Sequence, residues 1–133
     1  STTHPNSVAQ YAALAAYTPS AEIEATVATM VQAFHSRRDL ILAALAQQAG
    51  VTCDVPDGAF YVFPNVTALL NRQFANGTTC ATSLELADYL LEHAQIGLVP
   101  GEAFGAPGYM RLAYAQSNDS ISEGMRRFAA AVA

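Results

Sequence analysis

The sequence contains no lysine, so all six of its basic residues are arginines. Without lysine, no side chain of this chain can form a Schiff base with a carbonyl compound. Eleven acidic residues give a formal net charge of −5 at pH 7. Nucleic acids and anionic membrane surfaces are bound by clustered Lys and Arg, so this charge balance argues against both as partners.

Cysteine is scarce, and long apolar runs are absent. Cys53 and Cys80 have neither the number nor the spacing of a disulfide framework. We therefore expect reduced cysteines and a cytoplasmic setting. No grouping of His, Cys and carboxylates has the spacing of metal ligands, so we expect no bound metal. No apolar run could span a bilayer and no signal-peptide pattern is present, which predicts a soluble chain.

The 133 residues do contain enough apolar material for one compact core, since 52% of them are hydrophobic. Capping residues and apolar spacing predict helices over residues 7–17, 19–49, 66–74, 82–93 and a last segment after Ser117 or Ser120. Short apolar runs predict strands over residues 51–55, 59–63, 95–100 and 110–114. This order predicts an α+β two-layer sandwich in which a small sheet is covered by helices.

One charged residue, Arg111, lies in an apolar segment that follows a loop containing glycine and proline. This pattern predicts a mostly buried strand, in the interior of the sheet. A guanidinium cannot lose its charge to escape burial, so Arg111 needs an anion. A carboxylate of the protein or a ligand could supply it, and the planar guanidinium suits a carboxylate in both cases. The residues alone leave both alternatives open.

Three segments resemble, in the same order, segments of the class I pyridoxal-phosphate aminotransferases of fold type I. They are STTHPNSVAQYAALAAY at residues 1–17, PDGAFYVFPNV at 56–66, and VPGEAFGAPGYMRLAYA at 99–115. The aspartate aminotransferase branch is the most similar, and the resemblance covers nearly the whole chain. It implies the C-terminal small domain of a larger enzyme, with residues 1–18 as a helix leading from the missing large domain and 19–133 as the small domain.

The resemblance also implies roles for individual residues. In that family the Arg of the last segment binds the α-carboxylate of the amino-acid substrate, and Arg111 has its place. In the family the strand that corresponds to residues 59–63 has aromatic residues at the mouth of the active site, so the resemblance implies a substrate contact for Phe60 or Tyr61, with core packing of both as the alternative. Because neighbouring residues of a strand point to opposite sides, only one of these two rings can face a ligand.

The family holds pyridoxal phosphate on a lysine, which this chain lacks. The resemblance therefore implies that the missing domain binds the cofactor and that no catalytic or cofactor-binding residue lies here. The full-length enzyme is expected to be a cytoplasmic homodimer that transfers an amino group from an amino acid, aspartate, to a 2-oxo acid. This chain would supply Arg111 and a lid that closes over the substrate.

Two other functions remain open at this point. A stand-alone, non-catalytic module could bind small carboxylates or a partner protein through Arg111, and the absence of lysine favours it. A pyridoxal-phosphate lyase or decarboxylase could share the same domain, because fold does not determine reaction type. No second basic residue is clearly placed for the distal carboxylate of aspartate, so the residues do not report substrate side-chain specificity.

Overall fold

The computed structural model describes residues 4–133, and the chain divides into two compact units, Ser1–Ala33 and Phe34–Ala133. Among the described residues, none of the helices combines the length and the apolar character that crossing a bilayer requires. Within the same residues, the elements are four α-helices, two short 3-10 turns and three strands. The architecture is α+β, as the sequence predicted.

The first unit contains helix α1 (Ser7–Tyr17) and the start of helix α2 (Ala21–Leu45). The Asn6 side chain accepts hydrogen bonds from two backbone N–H groups of the first turn of α1, at 2.9 and 3.3 Å. This cap satisfies donors that the helix leaves unpaired, and it confirms the predicted start of α1. No residue of α1 is buried.

Helix α2 is shorter than the predicted span of residues 19–49. After Leu45 the backbone continues in tighter turns, in which the N–H groups of Gln47 and Gln48 donate to carbonyls three residues earlier. The predicted apolar stripe is also divided between the two units. Ile41 and Leu45 are buried in the second unit, whereas side chains of the first unit on the same stripe are exposed, namely Ile23, Val27 and Met30.

The sheet of the second unit is antiparallel and has the order β1 (Tyr61–Val62), β3 (Met110–Ala113), β2 (Val99–Pro100). The strand that carries Arg111 therefore lies in the middle, which confirms its predicted place. The prediction of a mostly buried strand was wrong in part. Met110 and Leu112 are buried while Arg111 and Ala113 are not, because successive side chains of a strand point to opposite faces.

Two predicted elements are replaced by irregular structure. Residues 51–55 form no strand and pair only through the Thr52–Asn65 bridge, because no neighbouring segment pairs with them along their length. The predicted helix over residues 66–74 is a 3-10 turn, Thr67–Leu69. Asn71 follows it with a left-handed φ of 58°, a conformation that does not continue a helix.

Helices α3 (Ser83–Ala94) and α4 (Asn118–Ala131) complete the second unit and pack against each other. The Oγ1 of Thr82 caps α3 and the Oγ of Ser117 caps α4, each by accepting a backbone N–H at 3.1 Å. The cap of α3 was predicted, and that of α4 was one of the two predicted alternatives, Ser117 and Ser120. The predicted apolar residues of α4 join the buried face of the sheet in one core: Ile121, Met125, Phe128 and Val132 with Val62, Met110 and Leu112.

Gly124, inside α4, is a position where alanine should stabilise the protein. A Cβ placed on Gly124 meets no atom within 4 Å, and alanine loses less backbone entropy than glycine on forming a helix. We expect Gly124→Ala to raise the free energy of unfolding by ~0.5–1 kcal/mol, measured by chemical denaturation. Gly77→Ala is the control and should be destabilising, because Gly77 has a φ of +85°. A Gly124→Ala protein that is less stable than the parent would contradict the prediction.

Candidate functional site

The candidate site lies on the face of the sheet opposite the core. Residues directly paired across antiparallel strands share a face. Val99 pairs with Arg111, and Tyr61 pairs with Ala113, two residues after Arg111 on the same face. Arg111 is half-buried there, at the centre of the sheet.

Two aromatic rings lie against the Arg111 guanidinium. Its Cζ lies 4.6 Å from the centre of the Tyr61 ring and 4.8 Å from that of the Phe104 ring. Both distances are those of cation–π contacts. Neither contact gives the guanidinium an oxygen acceptor, so its N–H donors are left for one.

Arg111 has no acidic partner within residues 4–133. The ion pairs described there join Arg38 to Asp39, and Arg126 and Arg127 to Glu123. Among the same residues no side-chain hydrogen bond of Arg111 is formed either. Of the two alternatives that the sequence left open, an internal ion pair therefore has no counterpart in the described part of the chain.

The structure separates the two aromatic residues that the sequence singled out. Tyr61 shares the face of Arg111 and contacts its guanidinium. Phe60 precedes β1, is partly exposed, and has its ring centre 6.0 Å from that of Phe34 and 4.6 Å from that of Tyr61. Tyr61, and not Phe60, is therefore the one of this pair that borders the guanidinium.

Phe104 is the site residue that the sequence did not reveal. It lies in the 3-10 turn Gly101–Phe104, and its ring contacts Phe63 at 5.9 Å between centres as well as Arg111. Phe63 in turn stacks on Tyr109 at 5.2 Å. An aromatic residue inside a glycine-rich loop just before the Arg111 strand was the available signal, because an apolar ring in a loop needs a packing partner.

The loop over residues 101–108 is closed by its own hydrogen bonds. The N–H of Gly101 donates to the Tyr109 carbonyl at 2.8 Å, and the N–H of Ala106 donates to the Gly101 carbonyl at 2.9 Å. A Cβ on Gly101 would lie 2.0 Å from the Ala106 carbonyl oxygen, so only glycine fits. Because these N–H groups are already paired, the loop does not offer them to a phosphate.

One buried hydroxyl connects this loop to helix α3. The Oγ of Ser83 accepts a hydrogen bond from the Gly108 N–H at 2.9 Å and lies 2.8 and 2.7 Å from the Glu102 carboxylate oxygens, to which its O–H donates. The Ser83 hydroxyl lowers the pKa of Glu102 below its ordinary value, and backbone N–H groups at the start of α3 act in the same direction. Glu102 is therefore ionised at neutral pH.

The cysteines do not add to the site. Both thiols are free, and burial raises the pKa of Cys53 and of Cys80 above the ordinary value. A raised pKa disfavours the reactive thiolate. Within residues 4–133, no group of three or more His, Cys, Asp or Glu side chains is arranged to hold a metal ion.

Comparison with known proteins identifies the family of this chain. The family model for aminotransferase class I and II matches residues 1–128. An aspartate aminotransferase of Geobacillus stearothermophilus is 45% identical over 127 residues, which are 96% of this chain and 30% of that protein. An aspartate/prephenate aminotransferase of Cereibacter sphaeroides is 38% identical over 98% of this chain and 32% of that protein.

Solved structures show the same relationship. The aspartate aminotransferase of Thermus thermophilus with maleate matches with a TM-score of 0.82 at 33% identity, over 97% of this chain and 31% of that one. The fold is thus that of part of an aminotransferase. This chain belongs to the class I and II aminotransferase family, and it spans about a third of the length of the relatives that it matches.

Proposed function

We propose that this chain is the substrate-carboxylate-binding part of a pyridoxal-phosphate-dependent aminotransferase. The observation that supports this proposal is the Arg111 guanidinium, held by two aromatic rings and without an acidic partner among residues 4–133. An α-carboxylate is the anion that every amino-acid and 2-oxo-acid substrate carries. Its two oxygens match two parallel N–H groups of the guanidinium.

The aromatic rings give Arg111 a positioning role beyond charge. A flexible arginine side chain loses rotamer freedom when it binds a carboxylate, and contacts with Tyr61 and Phe104 restrict it beforehand. Preorganisation of this kind fixes where the α-carbon of the substrate lies. Closure of this part over the bound substrate would then exclude water from the reacting groups.

The residues of this chain do not fit the cofactor itself. The sequence has no lysine to hold pyridoxal phosphate covalently. The N–H groups of the three glycines of the loop are already paired, those of Gly101 and Gly105 with carbonyls and that of Gly108 with Ser83. We therefore assign cofactor binding to a part of the protein outside these 133 residues. No chemical step of amino transfer is attributed to a side chain described here.

The substrate and assembly belong to the same proposal. Relatives named aspartate aminotransferase support aspartate as the amino-group donor and a 2-oxo acid as the acceptor. The family resemblance supports the further proposal that the complete protein is a cytoplasmic homodimer. A stand-alone carboxylate-binding module remains the competing function, because the chain carries Arg111 but no lysine.

The test compares the complete protein with this chain alone. We expect the complete protein to convert aspartate and 2-oxoglutarate in the presence of pyridoxal phosphate. The 133-residue chain mixed with pyridoxal phosphate should give no borohydride-trappable adduct at an internal residue, since it has no lysine side chain. Mass spectrometry after reduction measures this. A complete open reading frame that begins near Ser1, or a complete protein without aminotransferase activity, would favour the stand-alone module.

A further inference from the structure

We propose that Ser83 and Glu102 are positioning residues that hold Phe104 against the Arg111 guanidinium. This inference rests on the proposed role of Arg111 in binding the substrate carboxylate. It concerns residues that touch neither the guanidinium nor its ligand. Their effect on binding would pass through the backbone of the loop over residues 101–108.

The buried Ser83 hydroxyl connects helix α3 to the loop. Ser83 is the first residue of α3 and is fully buried. Its Oγ accepts from the N–H of Gly108 at 2.9 Å and donates to the carboxylate of Glu102, whose oxygens lie at 2.7 and 2.8 Å. One side chain therefore holds both the beginning and the end of the loop on the N-terminus of a rigid helix.

The position of the Phe104 ring depends on that loop. Phe104 follows Glu102 by two residues in the same 3-10 turn, and its side chain is 49% exposed. Its ring contacts are Phe63 and Arg111. A ring exposed to this extent is not confined by a core, so the backbone of the turn determines where it lies.

The charge of Glu102 strengthens its hydrogen bond with Ser83. Hydrogen bonds from Ser83 and from backbone N–H groups of α3 lower the pKa of this carboxyl, so the anion is stabilised at the helix N-terminus. An ionised carboxylate accepts a stronger hydrogen bond than a neutral group. The carboxylate that comes nine residues before Arg111 is thereby bound to Ser83 and does not pair with the guanidinium.

The experiment is a kinetic comparison of variants in the complete enzyme. Ser83→Ala removes both hydrogen bonds and should raise KM for the amino acid by about three- to thirtyfold, the range to which a lost cation–π contact corresponds. The kcat should change less than twofold. Thr82→Ala is the matched control, because the Thr82 side chain caps the same helix and its hydrogen bond is with Glu85 of that helix; it should leave KM unchanged.

A double-mutant cycle tests whether Ser83 acts through Phe104. We expect Phe104→Ala to raise KM as Ser83→Ala does, and the double variant to be no worse than Phe104→Ala alone. Glu102→Ala should reproduce the Ser83→Ala effect, and it serves if Ser83→Ala does not fold. Glu102→Gln keeps an acceptor for the Ser83 hydroxyl and should restore KM to within about threefold of the parent, less than the loss of a charge-assisted bond.

Three outcomes would overturn the inference while leaving the role of Arg111 intact. They are an additive double-mutant cycle, an equal KM effect of Thr82→Ala, and an unchanged KM in Ser83→Ala and Glu102→Ala when Arg111→Ala raises it. If Arg111→Ala itself leaves KM unchanged, the proposed function fails instead. Hydrogen exchange reports loop position without activity: the backbone amides of residues 105, 106, 108 and 109 should exchange faster in Ser83→Ala than in Thr82→Ala, and equal rates would contradict the proposal.

Discussion

In the complete enzyme, Arg111→Ala is expected to lower kcat/KM by a hundredfold or more. Each charge-assisted hydrogen bond contributes ~1.5–3 kcal/mol, and the variant removes two of them from the bound carboxylate. Arg111→Lys keeps the charge but not the planar pair of donors, so its loss should be smaller. The loss should be the same for all amino-acid substrates, because each carries the α-carboxylate. Steady-state kinetics with several amino acids, and with amines that lack the carboxylate, measures this.

The thermal stability of the Arg111→Ala protein distinguishes an Arg111 that binds substrate from an Arg111 that forms an internal ion pair. Removing one partner of a buried pair leaves an uncompensated charge and lowers the free energy of unfolding by ~3–5 kcal/mol. Since Arg111 has no acidic partner in residues 4–133, we expect only a small change in melting temperature. Arg126→Ala, which removes an exposed arginine of α4 together with its surface ion pair to Glu123, is the control, and it should also change the melting temperature little because exposed ion pairs contribute little. A large fall in melting temperature with unaltered kinetics in the folded fraction would reject the binding role.

Gly101→Ala is expected to destabilise the protein at the upper end of the ~1–3 kcal/mol typical of overpacking. The new Cβ would lie 2.0 Å from the Ala106 carbonyl oxygen and 2.8 Å from that of Tyr109. Both carbonyls belong to hydrogen-bonded backbone that holds the loop closed, so the clash cannot be relieved by turning a side chain. The loop must open, and Phe104 must leave Arg111. Chemical denaturation and KM of the amino-acid substrate measure the two effects.

Gly97→Ala provides the matched control for this substitution. Gly97 precedes β2, as Gly101 follows it, but a Cβ there meets no atom within 4 Å. We expect its stability and KM to stay close to those of the parent. If Gly101→Ala were as stable as Gly97→Ala, with an unchanged KM, the loop would not be closed in the way described.

The helix starts could be predicted because their causes are local. Asn6, Thr82 and Ser117 cap helices through N–H groups two or three residues away, so the determinants are adjacent in sequence. The end of α2 could not be predicted from its apolar pattern. The pattern runs on to Gly50, whereas the helix ends at Leu45.

The strands could not be predicted from local composition alone. Residues 51–55 have the β-branched composition of a strand, yet only the Thr52–Asn65 bridge forms there. A strand exists only where a neighbouring segment supplies hydrogen-bond partners along its length, and composition does not reveal that neighbour. Residues 110–113 do form a strand because segments on both sides pair with it.

The family, the choice of Arg111 as the candidate site residue and the absence of a cofactor lysine can all be derived from the order of residues in the chain, because each depends on residue identity and local spacing. Which groups surround Arg111 was decided by the tertiary structure. Tyr61 and Phe104 lie 50 and 7 residues before Arg111, and sheet pairing and the closed loop bring them within 5 Å of its guanidinium. Ser83 reaches the same loop from a separate helix. The contacts of Tyr61 and Ser83 depend on packing between distant segments, for which local sequence carries no signal. For Phe104 the local signal was an aromatic residue in a glycine-rich loop.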